Sequence, residues 1–111
     1  MLEFYKTIDN VTKRLDAPEH GCWISAVAPT DEEISYLIDD IGVLPEFVKS
    51  SLDEEESSHI DYDDDENQTL AIVDYPSAED SDDDAYDGRV LQYTTLPLGV
   101  VIMKGYIITI S

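Results

Sequence analysis

Residues 22–53 open as Cys22-Trp23-Ile24-Ser25-Ala26-Val27-Ala28 and continue as Pro29-Thr30-Asp31-Glu32-Glu33-Ile34. After Ile41 they close as Gly42-Val43-Leu44-Pro45 and, beyond the second helical stretch, Leu52-Asp53. The first run is rich in β-branched and aromatic residues and meets a proline that cannot extend a ladder, so it reads as a buried strand ending near Ala28. Thr30 and Glu33 have the spacing of a capping box, and Asp31, Glu32 and Glu33 favour the positive end of a helix dipole. Ile34, Leu37, Ile38 and Ile41 then fall at i, i+3, i+4 and i+7, one apolar stripe of a helix stopped by Gly42. Pro45 suits the first turn of a second helix that buries Phe47, Val48 and Leu52.

Outward from this unit the chain reads as strands. Leu2 to Ile8 alternates, Asn10 turns it, and Val11 to Leu15 returns as an edge hairpin carrying three of the six basic residues. Ile60-Asp61-Tyr62 and Gln68 to Tyr75 are two further strands around an acidic turn, with Pro76 expected to close the second. Residues 76–88 are acidic and poor in apolar side chains, and are expected to form a flexible loop. After Arg89 strand character returns, and Lys104-Gly105 is a tight turn between two apolar runs. In those last runs both alternating sets of side chains are apolar, so both sheet faces need cover. The two short helices cannot supply it, and the second layer is expected from helices after Ser111 or from self-association of the chain. The fold expected is α/β: a mixed sheet of six or seven strands with two helices inserted between the early and middle strands, in a single domain spanning 1–111.

The chain has 111 residues, with 26 acidic against six basic, for a formal charge of −20. Nucleic acid and anionic lipid bind through Lys and Arg, so neither is an expected partner. Cations and basic surfaces are. A hydrophobic content of 42% is ordinary for a folded domain. One cysteine excludes an intrachain disulfide and any Cys-x-x-Cys site, which with the absence of a secretory leader points to a reducing cytoplasm. Cys22 and Trp23 are both expected in the core. The longest uncharged apolar stretch, Leu96 to Met103, is far short of the roughly 20 residues that span a bilayer as a helix.

Nine carboxylates lie between Asp53 and Glu66 and six between Glu79 and Asp87. A calcium loop needs glycine at its sixth place and Glu at its twelfth. The run beginning Asp61-Tyr62-Asp63 has Glu66 and Ile72 there, and the run from Asp80 has Ala85 and Leu91. These clusters therefore read as solvated loops that attract diffuse counterions, with no tightly bound cofactor and at most weak binding of hydrated Mg²⁺. His20 and His59 read as surface residues. No nucleophile motif or phosphate-binding glycine loop occurs, so the chain is not expected to be an enzyme. A free-standing acidic protein, either a nucleic-acid mimic or a divalent-cation buffer, is the alternative this composition leaves open.

The succession Trp23-Ile24, Pro29 to Ile34, Gly42-Val43-Leu44-Pro45 and Leu52-Asp53 resembles the cytoplasmic domain of the CorA family of magnesium and cobalt transporters. Leu70-Ala71-Ile72-Val73 and the strands Leu96 to Ile102 and Ile107 to Ile110 look like its later strands. The resemblance implies the cytoplasmic regulatory and assembly domain of a divalent metal ion transporter in the cell membrane. It implies a homo-oligomer, pentameric in the full-length protein. It also implies a chain that continues past Ser111 into a stalk, two transmembrane segments and a pore-mouth Gly-Met-Asn motif, so that membrane contact comes only through segments absent from this chain. The family commonly places one carboxylate of a regulatory metal site in the second helix. Here that stretch is Lys49-Ser50-Ser51-Leu52, which lacks it, and Asp53 and Glu54 a turn further on are the substitute metal ligands.

Overall fold

The computed structural model describes residues 1–78 and 93–111. Seven strands, β1 (Leu2–Ile8), β2 (Val11–Leu15), β3 (Cys22–Ala26), β4 (His59–Asp63), β5 (Gln68–Ala78), β6 (Tyr93–Met103) and β7 (Tyr106–Ile110), form one sheet. Its order is β2-β1-β3-β7-β6-β5-β4. β3 and β7 pair in parallel, Cys22 opposite Tyr106 through Ala26 opposite Ile110, and every other neighbouring pair is antiparallel. The sheet is therefore mixed, as expected, and its two hairpin-built halves meet along this one parallel seam.

Local chemistry sets the turns. Asp9 and Asn10 both adopt positive φ, the pairing that a two-residue hairpin between β1 and β2 requires. Gly105, at φ 91°, turns β6 into β7.

Between β3 and β4 lie the helices. α1 (Asp31–Tyr36) starts on the expected capping box: the Glu33 N–H donates to Thr30 Oγ1 at 3.2 Å, and the Thr30 N–H donates to Glu33 Oε1 at 3.0 Å. The second half of the stripe departs from α geometry. Leu37–Ile41 form a π-helical turn, and the Gly42 N–H bonds to Leu37 O, five residues back. Gly42 at φ 94° then reverses the chain, which an L side chain would resist. α2 (Pro45–Ser51) has its proline in the first turn and buries Phe47, Val48 and Ser51.

Both helices cover the same face of the sheet. Cys22, Ile24 and Ala26 of β3, Ile108 and Ile110 of β7, Val101 of β6, and Leu70 and Ile72 of β5 all point into the core beneath Leu37, Ile41, Val43, Phe47 and Val48. Gly99 in β6 lies under α2 so closely that a Cβ there would fall onto the Ser51 side chain. This glycine sets how near the second helix comes to the sheet.

Trp23 is not in the core. The strand period of two puts Cys22 and Ile24 on the helix side and turns Trp23 to the opposite face, where it is 42% exposed. There it stacks on Tyr5 at a centroid distance of 5.0 Å and donates from Nε1 to Thr109 Oγ1 at 2.9 Å. Pro76 likewise does not end its strand. β5 runs on to Ala78, with Pro76 opposite Thr95, because beyond His59 β4 no longer flanks it and the missing N–H has no ladder partner on that side to lose. Of the acidic segment expected to be flexible, residues 79–88 lie outside the described residues.

Candidate cation-binding region

The candidate ligands Asp53 and Glu54 follow directly on α2. Leu52 caps the helix, its N–H reaching back to Val48 O and Lys49 O, each at 3.2 Å, and the chain turns there into solvent. Asp53 Oδ1 accepts from the Glu55 N–H at 3.0 Å, and Asp53 O accepts from the Glu56 N–H, also at 3.0 Å. Asp53 thereby shapes the turn, while Glu54 is exposed and points outward. Downstream, Glu56 Oε1 lies 3.5 Å from His59 Nδ1, and the Ser58 hydroxyl donates to Asp74 Oδ2 at 2.9 Å.

Asp53 and Glu54 are consecutive and both exposed. Among the described residues there is no group of three or more His, Cys, Asp or Glu side chains placed to hold a metal ion. Two adjacent exposed carboxylates suit an ion that keeps most of its water, as Mg²⁺ does, and whose remaining contacts come from elsewhere. Asp61 and Asp63 stand on β4, and Asp63 Oδ1 is engaged by the Glu66 N–H at 2.9 Å, so this acidic run serves its own turn.

Among the described residues, the carboxylate with the most specific partners is Glu33. Its Oε1 receives the Thr30 N–H and the Met1 ammonium at 2.9 Å, and that ammonium also donates to Val27 O at 2.7 Å. The Thr30 N–H first, and then the ammonium, hold the Glu33 carboxyl down at about 2. Beside it a groove of about 410 Å³ is lined by Leu2, Phe4, Pro18 and Tyr36, with Asp16 and Glu32. Burial, followed by the nearby Asp40 charge, raises the Tyr36 phenol above its ordinary value. The groove holds no nucleophile paired with a base.

Two buried polar residues, Ser51 of α2 and Gln68 of β5, escaped the sequence reading. Gln68, 2% exposed, accepts the Leu44 N–H at 3.1 Å and donates through Nε2 to Gly42 O at 2.6 Å. It ties the connection between the two helices to the start of β5. Its signal was present in the alternation: Gln68 shares a strand face with Leu70 and Ile72, so a polar side chain on the core row needed partners there.

A mixed seven-stranded sheet with two helices between β3 and β4 is an arrangement shared with part of the CorA soluble domain. The soluble domain of CorA from Methanocaldococcus jannaschii matches with a TM-score of 0.75 and 26% identity, over 99% of this chain and 40% of that one. The complete CorA magnesium transporter from the same organism matches with a TM-score of 0.72 and 24% identity, over 99% of this chain and 32% of that one. The resemblance seen in the sequence therefore holds across the described fold, while the chain spans well under half the length of either structure. No family model matches the sequence. No curated protein matches it either. No helix among the described residues is long and apolar enough to cross a membrane.

Proposed function

We propose that this chain is the cytoplasmic regulatory and assembly domain of a CorA-like transporter of magnesium or another divalent cation such as cobalt. The observation that carries the reading is the match of nearly the whole chain, at 26% identity, to the soluble domain of a CorA protein. On this reading the domain is not an enzyme. It binds and assembles, as one member of a homo-oligomeric ring, pentameric in the full-length protein, held on the cytoplasmic side of the cell membrane by segments outside these 111 residues. Asp53 and Glu54 contribute two carboxylates to a divalent-ion site completed by a neighbouring copy, which accords with their exposure and with the need for further ligands. Ion binding between subunits would favour the closed ring, so the site senses the ion that the pore conducts.

The gene beyond residue 111 is the test. Two apolar segments of about 20 residues, in a protein that moves Mg²⁺ across vesicle membranes, are the expected result. A reading frame without such segments overturns the transporter reading. The expected effect of Asp53→Asn with Glu54→Gln in that full-length protein is Mg²⁺ flux that no longer shuts off as the ion accumulates on the cytoplasmic side.

A further inference from the structure

The groove of about 410 Å³ beside Glu33 is bordered by β1, by α1 and by the connection from β2 to β3. Leu2 and Phe4 stand opposite Ala26 and Ile24 of β3, so the groove lies on the side of the sheet that the helices cover. Its floor is apolar. Leu2, Phe4 and Tyr36 are half-buried and pack against the core, which fixes their positions, and Pro18 closes one side. Asp16 and Glu32 stand exposed at the rim, and none of the lining residues is basic. Glu33, which lines the same groove, already holds a primary ammonium, that of Met1, at 2.9 Å. Asp16 and Glu32 pair with no basic group among the described residues.

We propose that this groove binds a linear aliphatic diammonium ion, of the diamine or polyamine class. Charge and apolar surface select this ligand together. Carboxylates with no basic neighbour attract a cation and repel an anion. An inorganic cation fits poorly: hydrated Mg²⁺ gains nothing from Leu2, Phe4 and Pro18, and no group of three or more acidic, His or Cys side chains among the described residues is placed to hold a metal. An alkyl chain buries against that same floor, while its ammonium ends form charge-assisted hydrogen bonds with Asp16 and Glu32. Phe4 and Tyr36 add aromatic surface, to which an ammonium is drawn. The contact between Met1 and Glu33 is this chemistry in miniature, a primary ammonium on a carboxylate of the same groove. Size agrees, since sites for small molecules run from about 300 to 1,000 Å³. The site shares no residue with Asp53 and Glu54 and does not rest on the transporter reading.

Two-dimensional NMR titration with 1,4-diaminobutane, set against Mg²⁺ at matched ionic strength, tests this. The two probes carry the same charge and differ in the alkyl spacer. The diamine should give saturable shifts at Leu2, Phe4, Ala17 and Tyr36, and Mg²⁺ should not. Asp16→Asn with Glu32→Gln, both at exposed positions, should weaken diamine binding by about 10-fold or more. Asp64→Asn with Asp65→Asn removes the same charge from the exposed turn between β4 and β5, towards the opposite edge of the sheet. At physiological ionic strength, where exposed charges are screened beyond about 8 Å, that pair should leave binding almost unchanged. Shifts spread over the acidic turns, equal losses in the two double variants, or no preference for the diamine over Mg²⁺ overturns the proposal. So does binding of a lysine-bearing peptide with none of the diamine, or a diamine site that disappears when residues following Ser111 are present. Each of these results leaves the transporter reading standing, because the gene beyond residue 111 decides that one.

Discussion

Gln68 carries more of the fold than its chemistry suggests. Both ends of its amide are used on backbone groups of the segment joining the π-turn to α2, and its exposure is 2%. Replacement by Leu keeps the volume and leaves the Leu44 N–H and Gly42 carbonyl without partners. The expected cost is about 2–4 kcal/mol, read from urea denaturation. Glu33 makes a second prediction, in pH. Its carboxyl titrates near 2 when folded against an ordinary 4.5, so its stabilising contribution is complete above about 4.5 and is lost as pH falls towards 2. Glu33→Gln should therefore lower the melting temperature at neutral pH, where that contribution is complete, and flatten the acid limb between those values, so that wild type and variant converge as pH falls towards 2.

The two helices show where element-level reading holds. The capping box and Pro45 were legible because they depend on contacts within four residues. The π-turn was not, since its apolar stripe, Ile34 to Ile41, also fits an α-helix. The tertiary pull of Gln68 on Gly42 and the reversal at φ 94° accompany the wider turn. α2 depends in the same way on a residue outside itself. Gly99→Ala puts a methyl onto Ser51 and should destabilise by about 1–3 kcal/mol through overpacking. Ser51→Gly removes the side chain that this methyl meets, so the double variant should cost less than the sum of the two single changes in a thermal-melt cycle. That sub-additivity is the mark of direct contact between helix and strand.

For the molecule as a whole, self-repulsion dominates the response to solution conditions. With 26 acidic and six basic residues, and lysine and N-terminal ion pairs among those described limited to Lys6 with Glu19 and Met1 with Glu33, added salt should raise the melting temperature. Mg²⁺ should exceed Na⁺ at matched ionic strength, with a gradual dependence in the isolated chain because Asp53 and Glu54 alone do not enclose an ion. A sharp stoichiometric transition at micromolar Mg²⁺ would instead show a complete site within one copy. Asp53→Asn with Glu54→Gln should leave the gradual response almost unchanged in this isolated chain.

Strands, caps, turns and the strongly acidic charge could all be read directly from residue order, because each follows from side-chain period, dihedral preference or composition. The resemblance to the CorA cytoplasmic domain likewise came from order and spacing. Which side of each strand meets the helices did not. Cys22 and Trp23 are neighbours with similar claims to the core, and only the packing of α1 and α2 on one face buries the first and exposes the second. The partnership of Gln68, the closeness of Gly99 to Ser51 and the passage of β5 through Pro76 have the same origin. Each depends on which distant segment lies alongside, and the parallel seam of β3 and β7 brings together residues more than 80 positions apart.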